Sequence, residues 1–215
     1  MTLIEANALF LKRCASLLSA YKTGKLGKCP MPEDAHPAFL SFEDRLAYFT
    51  LPMSLNYQRN SYTLWQSALA AYNDADVRDA FKVTSASEMS FEKLFAAADF
   101  DFLKLRDLVQ LKHKKGFPYL SGPKIFHYWS FIMSTYGGVG LKNTAHIEIA
   151  PDTHIRQCSV KLGLIVESER ETIAADELSR RWRAALENSG ITPIQMHPPL
   201  WFWSRSGFLF DVDEK

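Results

Sequence analysis

The stretch DFLKLRDLVQLKHKKGFPYLSGPKIFHYWSFIMS, residues 101–134, decides the fold. Its first part has the pattern of a helix that stops at Gly116. PYLSG reads as a tight turn. Pro123 then occupies the first turn of a second helix, where a missing N–H costs nothing. That second helix, PKIFHYWSFIMS, is apolar almost all round, so it should be buried on most faces. The segment therefore reads as two helices joined by a tight glycine-containing turn.

Helical signals continue in both directions. Thr2 with Glu5 forms a capping box, and a first helix should run to about Tyr21. A Gly- and Pro-rich loop follows, KTGKLGKCPMPEDAHP. Ser41 with Asp44 opens SFEDRLAYFTLPMSL, which Pro52 should kink or end. Further helices are expected at about 61–72, from Asp74 or Asp76 to about Val83, and from Ser90. Beyond the hairpin, TYGGVGLKNTAHIEIAP is a long glycine-containing excursion with a short extended piece at 146–149. Asp152 caps THIRQCSVKLGL, and DELSRRWRAALENSG ends at Gly190. Thr192-Pro193 and His197-Pro198 mark two more helix starts. Period-two alternation is nearly absent, so nine to eleven short helices and no substantial sheet are expected: an all-α chain.

The chain has 215 residues, 47% hydrophobic and 13% aromatic, enough apolar surface for a sizeable core. No apolar run approaches the ~20 residues of a membrane span. The N-terminus lacks a small-residue cleavage site after an apolar core and reads as a helix, not a signal peptide. Cys14, Cys29 and Cys158 are widely spaced, and no C-x-x-C pair occurs. That argues against a disulfide framework and against a zinc or iron–sulfur site, and fits reduced thiols in a cytoplasmic protein. The six histidines show no H-x-x-x-H or H-E-x-x-H pattern, so no catalytic metal and no cofactor are expected. Net charge is only +1. Between Lys104 and Lys124, however, six basic residues meet one acidic residue. This run is either a solvated helix face or a phosphate-facing patch.

Two residues carry candidate chemistry. Lys124 sits in the first turn of an apolar helix, where the helix dipole and partial burial would both favour the neutral amine that a nucleophile requires. Asp152 stands as the N-cap of a later helix, followed by Thr153, His154 and Arg156. A hairpin turn also aims backbone N–H groups outward at the start of its second helix, which suits a nucleic-acid phosphate.

The segment IAPDTHIRQCSVKLGL, residues 149–164, resembles the D-T-H-hydrophobic-R helix of the helix-hairpin-helix DNA glycosylase superfamily, and GPK at 122–124 resembles its hairpin glycine, spacer and lysine. The resemblance covers roughly residues 100–165. It implies two packed helical subdomains with an active-site cleft between them, approximately 50–135 and 1–49 plus 136–215. It also implies that Lys124 and Asp152 are the catalytic pair. Gly122, Ser121, Lys114, Lys115, His154 and Arg156 would contact DNA phosphates. More weakly, SLNYQRNSYTLW at 54–65 is similar to the base-recognising helix of the archaeal 8-oxoguanine glycosylase branch, which would make Gln58 and Trp65 pocket residues. HPPLWFWSR at 197–205 resembles a pocket-closing C-terminal helix, with Trp201 and Trp203 as candidates; core packing is the other reading of these aromatics.

The sequence departs from the pattern in three ways. Leu120 stands where a second hairpin glycine is usual. Lys124 and Asp152 are 28 positions apart, longer than in most members. The iron–sulfur cysteines of the endonuclease III branch are absent. GVGLKNTA at 138–145 mimics the hairpin motif, but ten positions from Lys142 to Asp152 leave no room for a helix. The resemblance implies a monomeric glycosylase with lyase activity acting on double-stranded DNA, with 8-oxoguanine as the first candidate base. A DNA-binding protein that has lost the reaction, or a helical protein-interaction or ligand-binding module, remains open on residues alone.

Overall fold

A computed structural model of the chain describes residues 3–27, 31–39, 41–55, 60–74, 90–117 and 119–213, with side chains from residue 7 onward. The Thr2–Glu5 capping box, Gln58 and the expected helix leading to Val83 lie outside the described residues. Among these residues the protein is all-helical, without strands, and none of the helices is long and apolar enough to cross a membrane.

The chain divides into two compact units: residues 30–147, and residues 1–29 together with 148–215. The central unit is thus larger than the expected 50–135. Residues 30–49 and 136–147 belong to it because their side chains and backbone bond within it. Tyr128 donates to Glu33 at 2.9 Å, Tyr136 donates to Asp34 at 3.0 Å, and the backbone of Lys142 pairs with Phe100 and Phe102.

The central unit contains α2 (Phe42–Leu55), α3 (Ser61–Asn73), α4 (Phe91–Ala97), α5 (Phe102–Arg106) and α6 (Pro123–Thr135). Side-chain caps set their starts, satisfying first-turn N–H groups that have no helical acceptor. Ser41 accepts from Asp44 N–H, Asn60 from Thr63 N–H and Ser90 from Lys93 N–H. Pro52 does not end α2, which runs through it to Leu55. The helix is held by packing on α6, where Trp129 of α6 donates to the buried Thr50 hydroxyl at 3.0 Å. Burial of Leu46 to Thr50 and Met53 outweighs the backbone bond that proline forgoes. An aromatic core of Tyr48, Phe49, Trp65 and Tyr72 fills one end of the unit.

The second unit contains α1 (Leu3–Lys22), α7 (Thr153–Leu162), α8 (Ala175–Ala185) and α9 (His197–Arg205). Phe10, Cys14 and Leu17 of α1 are buried, as are Trp182 of α8 and Cys158 of α7. Burial pushes the Cys14 thiol up to about 12, and Cys14 and Cys158 are both unbridged. Trp182 stacks obliquely on Phe10, with centroids 5.4 Å apart. α9 packs against both α7 and α1.

Candidate functional site

The hairpin lies wholly in the central unit. Asp101 opens it, its Oδ1 accepting the N–H groups of Leu103 at 2.8 Å and Lys104 at 3.1 Å. The Lys104 amide, with the Asn143 side chain and the Leu103 amide, holds this carboxylate below its usual range against the opposing effect of burial. The expected continuous helix to Gly116 is broken up. After α5 the backbone widens over Asp107–Lys112, so that the His113 N–H reaches the Leu108 carbonyl at 2.8 Å, and a tight turn over Lys114–Gly116 follows. Such widened turns rotate the following side chains out of helical register and recur at functional sites.

The consequence here is a shallow, open basin of about 720 Å³, lined by residues 111–116 and Ser121. Lys112, His113, Lys114 and Lys115 are all exposed on it. Gln110 steadies its far wall by donating to the Ser121 carbonyl at 3.2 Å.

The turn itself differs from expectation in one physical respect. The amides of Ser121 and Gly122, expected to face a phosphate, are bonded internally: Ser121 N–H donates to Phe117 O and Gly122 N–H to Tyr119 O, each at 3.0 Å. The left-handed position is Tyr119, with φ +66°, whereas Leu120 is buried. Gly122 caps α6 with extended backbone and no side-chain cap, and a Cβ there would lie 3.1 Å from the Tyr119 carbonyl. Phe126 N–H already donates to Gly122 O, and Pro123 has none. The N–H groups of Lys124 and Ile125 are therefore the uncapped donors at the start of α6.

Lys124 is exposed, not half-buried as its apolar helix suggested, and its amine has no partner among the described residues. The reason is its place at the very start of α6, before the buried face begins at Phe126. Lys142, the residue of the competing motif, instead pairs with Asp99 at 3.3 Å.

In the second unit, Asp152 caps α7 as read from sequence: its Oδ1 accepts Ile155 N–H at 2.8 Å. Its Oδ2 has no partner among the described residues. His154 Nδ1 lies 2.9 Å from Ser204 Oγ, which in turn donates to Gln157 at 2.9 Å. The Ser204 hydroxyl thus bridges His154 and Gln157. The edge of Trp201 meets His154 at 5.9 Å, and Arg205 lies over the Trp201 ring at 4.8 Å. Asp152 and His154 thus stand at the start of α7, where Trp201 from the middle of α9 meets His154.

No protein-family model, no curated protein and no solved structure matches this chain.

Three expected site residues have structural positions. Trp65 is fully buried in the aromatic core beside Tyr48 and Phe49, so it does not line an open pocket. Trp203 is also buried, donating its indole N–H to Phe210 O at 2.9 Å. Arg156 donates from Nη1 to the carbonyls of Arg170 at 2.8 Å and Ile173 at 3.0 Å, which ties the loop before α8 to α7. That nitrogen is saturated by backbone, not offered to a phosphate. Sequence reasoning missed Tyr119 and the Ser204–Gln157 pair. A bulky aromatic after proline at a turn that favours glycine was a readable signal for the first; the second joins residues about 50 apart and had none.

Proposed function

We propose that the protein is a DNA glycosylase with lyase activity that uses Lys124 as nucleophile and Asp152 as its electrostatic partner. One observation carries the reading: the Lys124 amine is exposed and unpartnered at the uncapped start of α6, close in sequence to a basin of exposed basic side chains. An amine so placed can reach an electrophilic carbon, and the ammonium groups earlier in the same hairpin suit the phosphates flanking a nucleotide.

The target base is drawn out of the stack before the chemistry. The deprotonated Lys124 amine attacks the anomeric carbon as the bond to the base breaks, and the base leaves with the bonding pair and takes up a proton. Ring opening gives an imine between Lys124 Nζ and C1′. Loss of a C2′ proton then expels the 3′ phosphate by β-elimination, and water releases the lysine. The free Oδ2 of Asp152 stabilises the positive charge that develops on the sugar and accepts the ammonium proton. Trp201, half-buried and edge-on to His154, is the stacking surface for the extruded base. Because Trp65 is buried in the core, the base is to be found with a panel of lesions, 8-oxoguanine among them.

The test is base release and strand nicking on lesion duplexes with borohydride present. The reading expects a trapped covalent adduct that Lys124→Ala abolishes and Asp152→Asn greatly weakens. Trapping undiminished in Lys124→Ala removes the nucleophile. A second reading, a DNA-binding protein without catalysis, is favoured by the basin of exposed basic side chains, which suits phosphates whether or not Lys124 reacts. Salt-dependent binding with no cleavage of any lesion assigns it.

A further inference from the structure

Tyr119 is 69% exposed at the tip of the hairpin turn, its backbone left-handed at φ +66°. A bulky side chain rarely adopts that conformation, and glycine is the ordinary residue there. Among the described residues its ring stacks on no other ring and its hydroxyl has no partner. Folding therefore gains little from the ring and bears the backbone strain. Leu111, 70% exposed, projects from the widened turn and lines the basin, as does Ser121, two residues after Tyr119. Leu111 thus stands in water amid Lys112, Lys114 and Lys115, and the exposed Tyr119 lies two residues from Ser121, which lines the same basin.

We propose that this tip seats an unstacked nucleotide of a single strand, with Tyr119 stacking on the base and the three lysines neutralising the adjacent phosphates. The inference rests on the nucleic-acid reading above and extends it to a binding residue and a strand form. The internally bonded Ser121 and Gly122 amides support it, because they deprive the turn of the donors that would grip a duplex backbone. Charge alone would favour duplex DNA, which has the higher phosphate density. A stacking ring reverses that order, because only an unpaired base offers it an open face.

Binding of a labelled oligothymidylate and of a duplex of equal length, followed by anisotropy in the full chain, tests this. The wild-type protein should bind the oligothymidylate at least as tightly as the duplex. Tyr119→Gly should weaken oligothymidylate binding roughly tenfold and leave duplex binding unchanged, while Tyr119→Phe keeps both. Glycine suits the local backbone, so this variant folds. Equal oligothymidylate affinity in wild type and Tyr119→Gly overturns the proposal, as does a wild-type protein that binds duplex but not oligothymidylate. Borohydride adducts at Lys124 are scored separately. Their persistence in a protein that fails the oligothymidylate test sinks this inference and leaves the glycosylase reading standing; their absence in a protein that passes it does the reverse.

Discussion

The Tyr128 hydroxyl donates to Glu33 Oε1 at 2.9 Å, a bond to a carboxyl that is 1% exposed. Glu33 Oε2 has no hydrogen-bond partner among the described residues. Burial pushes the Glu33 carboxyl up to about 7, with a smaller upward push from Asp34, while its own backbone amide and Tyr128 pull the other way. The protein therefore holds Glu33 protonated at acidic pH, where the oxygen without a partner carries no charge.

Stability should fall as pH rises through this range. The folded state binds the Glu33 proton more tightly than the unfolded chain, so the gain is full below about 4.5 and lost as pH passes about 7. The separation corresponds to roughly 3 kcal/mol for a group this deeply buried. Urea midpoints from pH ~5 to ~8 should show the decline, and Glu33→Gln should flatten it. An unchanged slope in Glu33→Gln would place the pH dependence elsewhere.

Trp182 donates its indole N–H to Ser159 Oγ at 2.9 Å, and Ser159 passes its own proton to Ile155 O at 2.7 Å. Both side chains are buried. Ser159→Ala leaves the indole N–H without an acceptor and should cost about 1–3 kcal/mol by denaturant unfolding. Trp182→Phe in the same background should recover part of that loss, because the orphaned donor is gone.

Arg156 separates a structural role from a DNA-binding one. Arg156→Ala frees two carbonyls of the loop before α8 and should destabilise the protein by about 1–3 kcal/mol, with or without DNA. Stability unchanged beside a clear loss of DNA affinity would restore Arg156 to the phosphate contacts.

Tyr119→Gly should raise the unfolding free energy by about 1 kcal/mol, because it relieves the left-handed backbone and removes no internal contact. Thermal unfolding of the variant without ligand checks this. A lower midpoint would mean that the ring supports the fold.

Helix positions were legible where a local cap announced them. Ser41, Asn60, Ser90, Asp101 and Asp152 all accept first-turn N–H groups. Asn60 and Asp101 also cap their helices, although neither was read as a cap from the sequence. What local reading missed is set by distance. Pro52 stays inside α2 because Trp129, far along the chain, packs and bonds there. The widened turn at Asp107–Lys112 has no composition of its own, so the hairpin's first arm looked like one helix. At the candidate site, Asp152 was readable as a cap and Lys124 as the opening of α6. Whether Trp65 and Trp203 face a ligand or the core could not be read from residue type, because indoles serve both; burial answers it.

The most direct test is peptide mapping of the borohydride-reduced adduct between the protein and an abasic-site duplex. The account predicts that the modified peptide carries its sugar remnant on Lys124. A remnant on Lys142 or another lysine, or a protein that forms no adduct with abasic DNA at all, contradicts it.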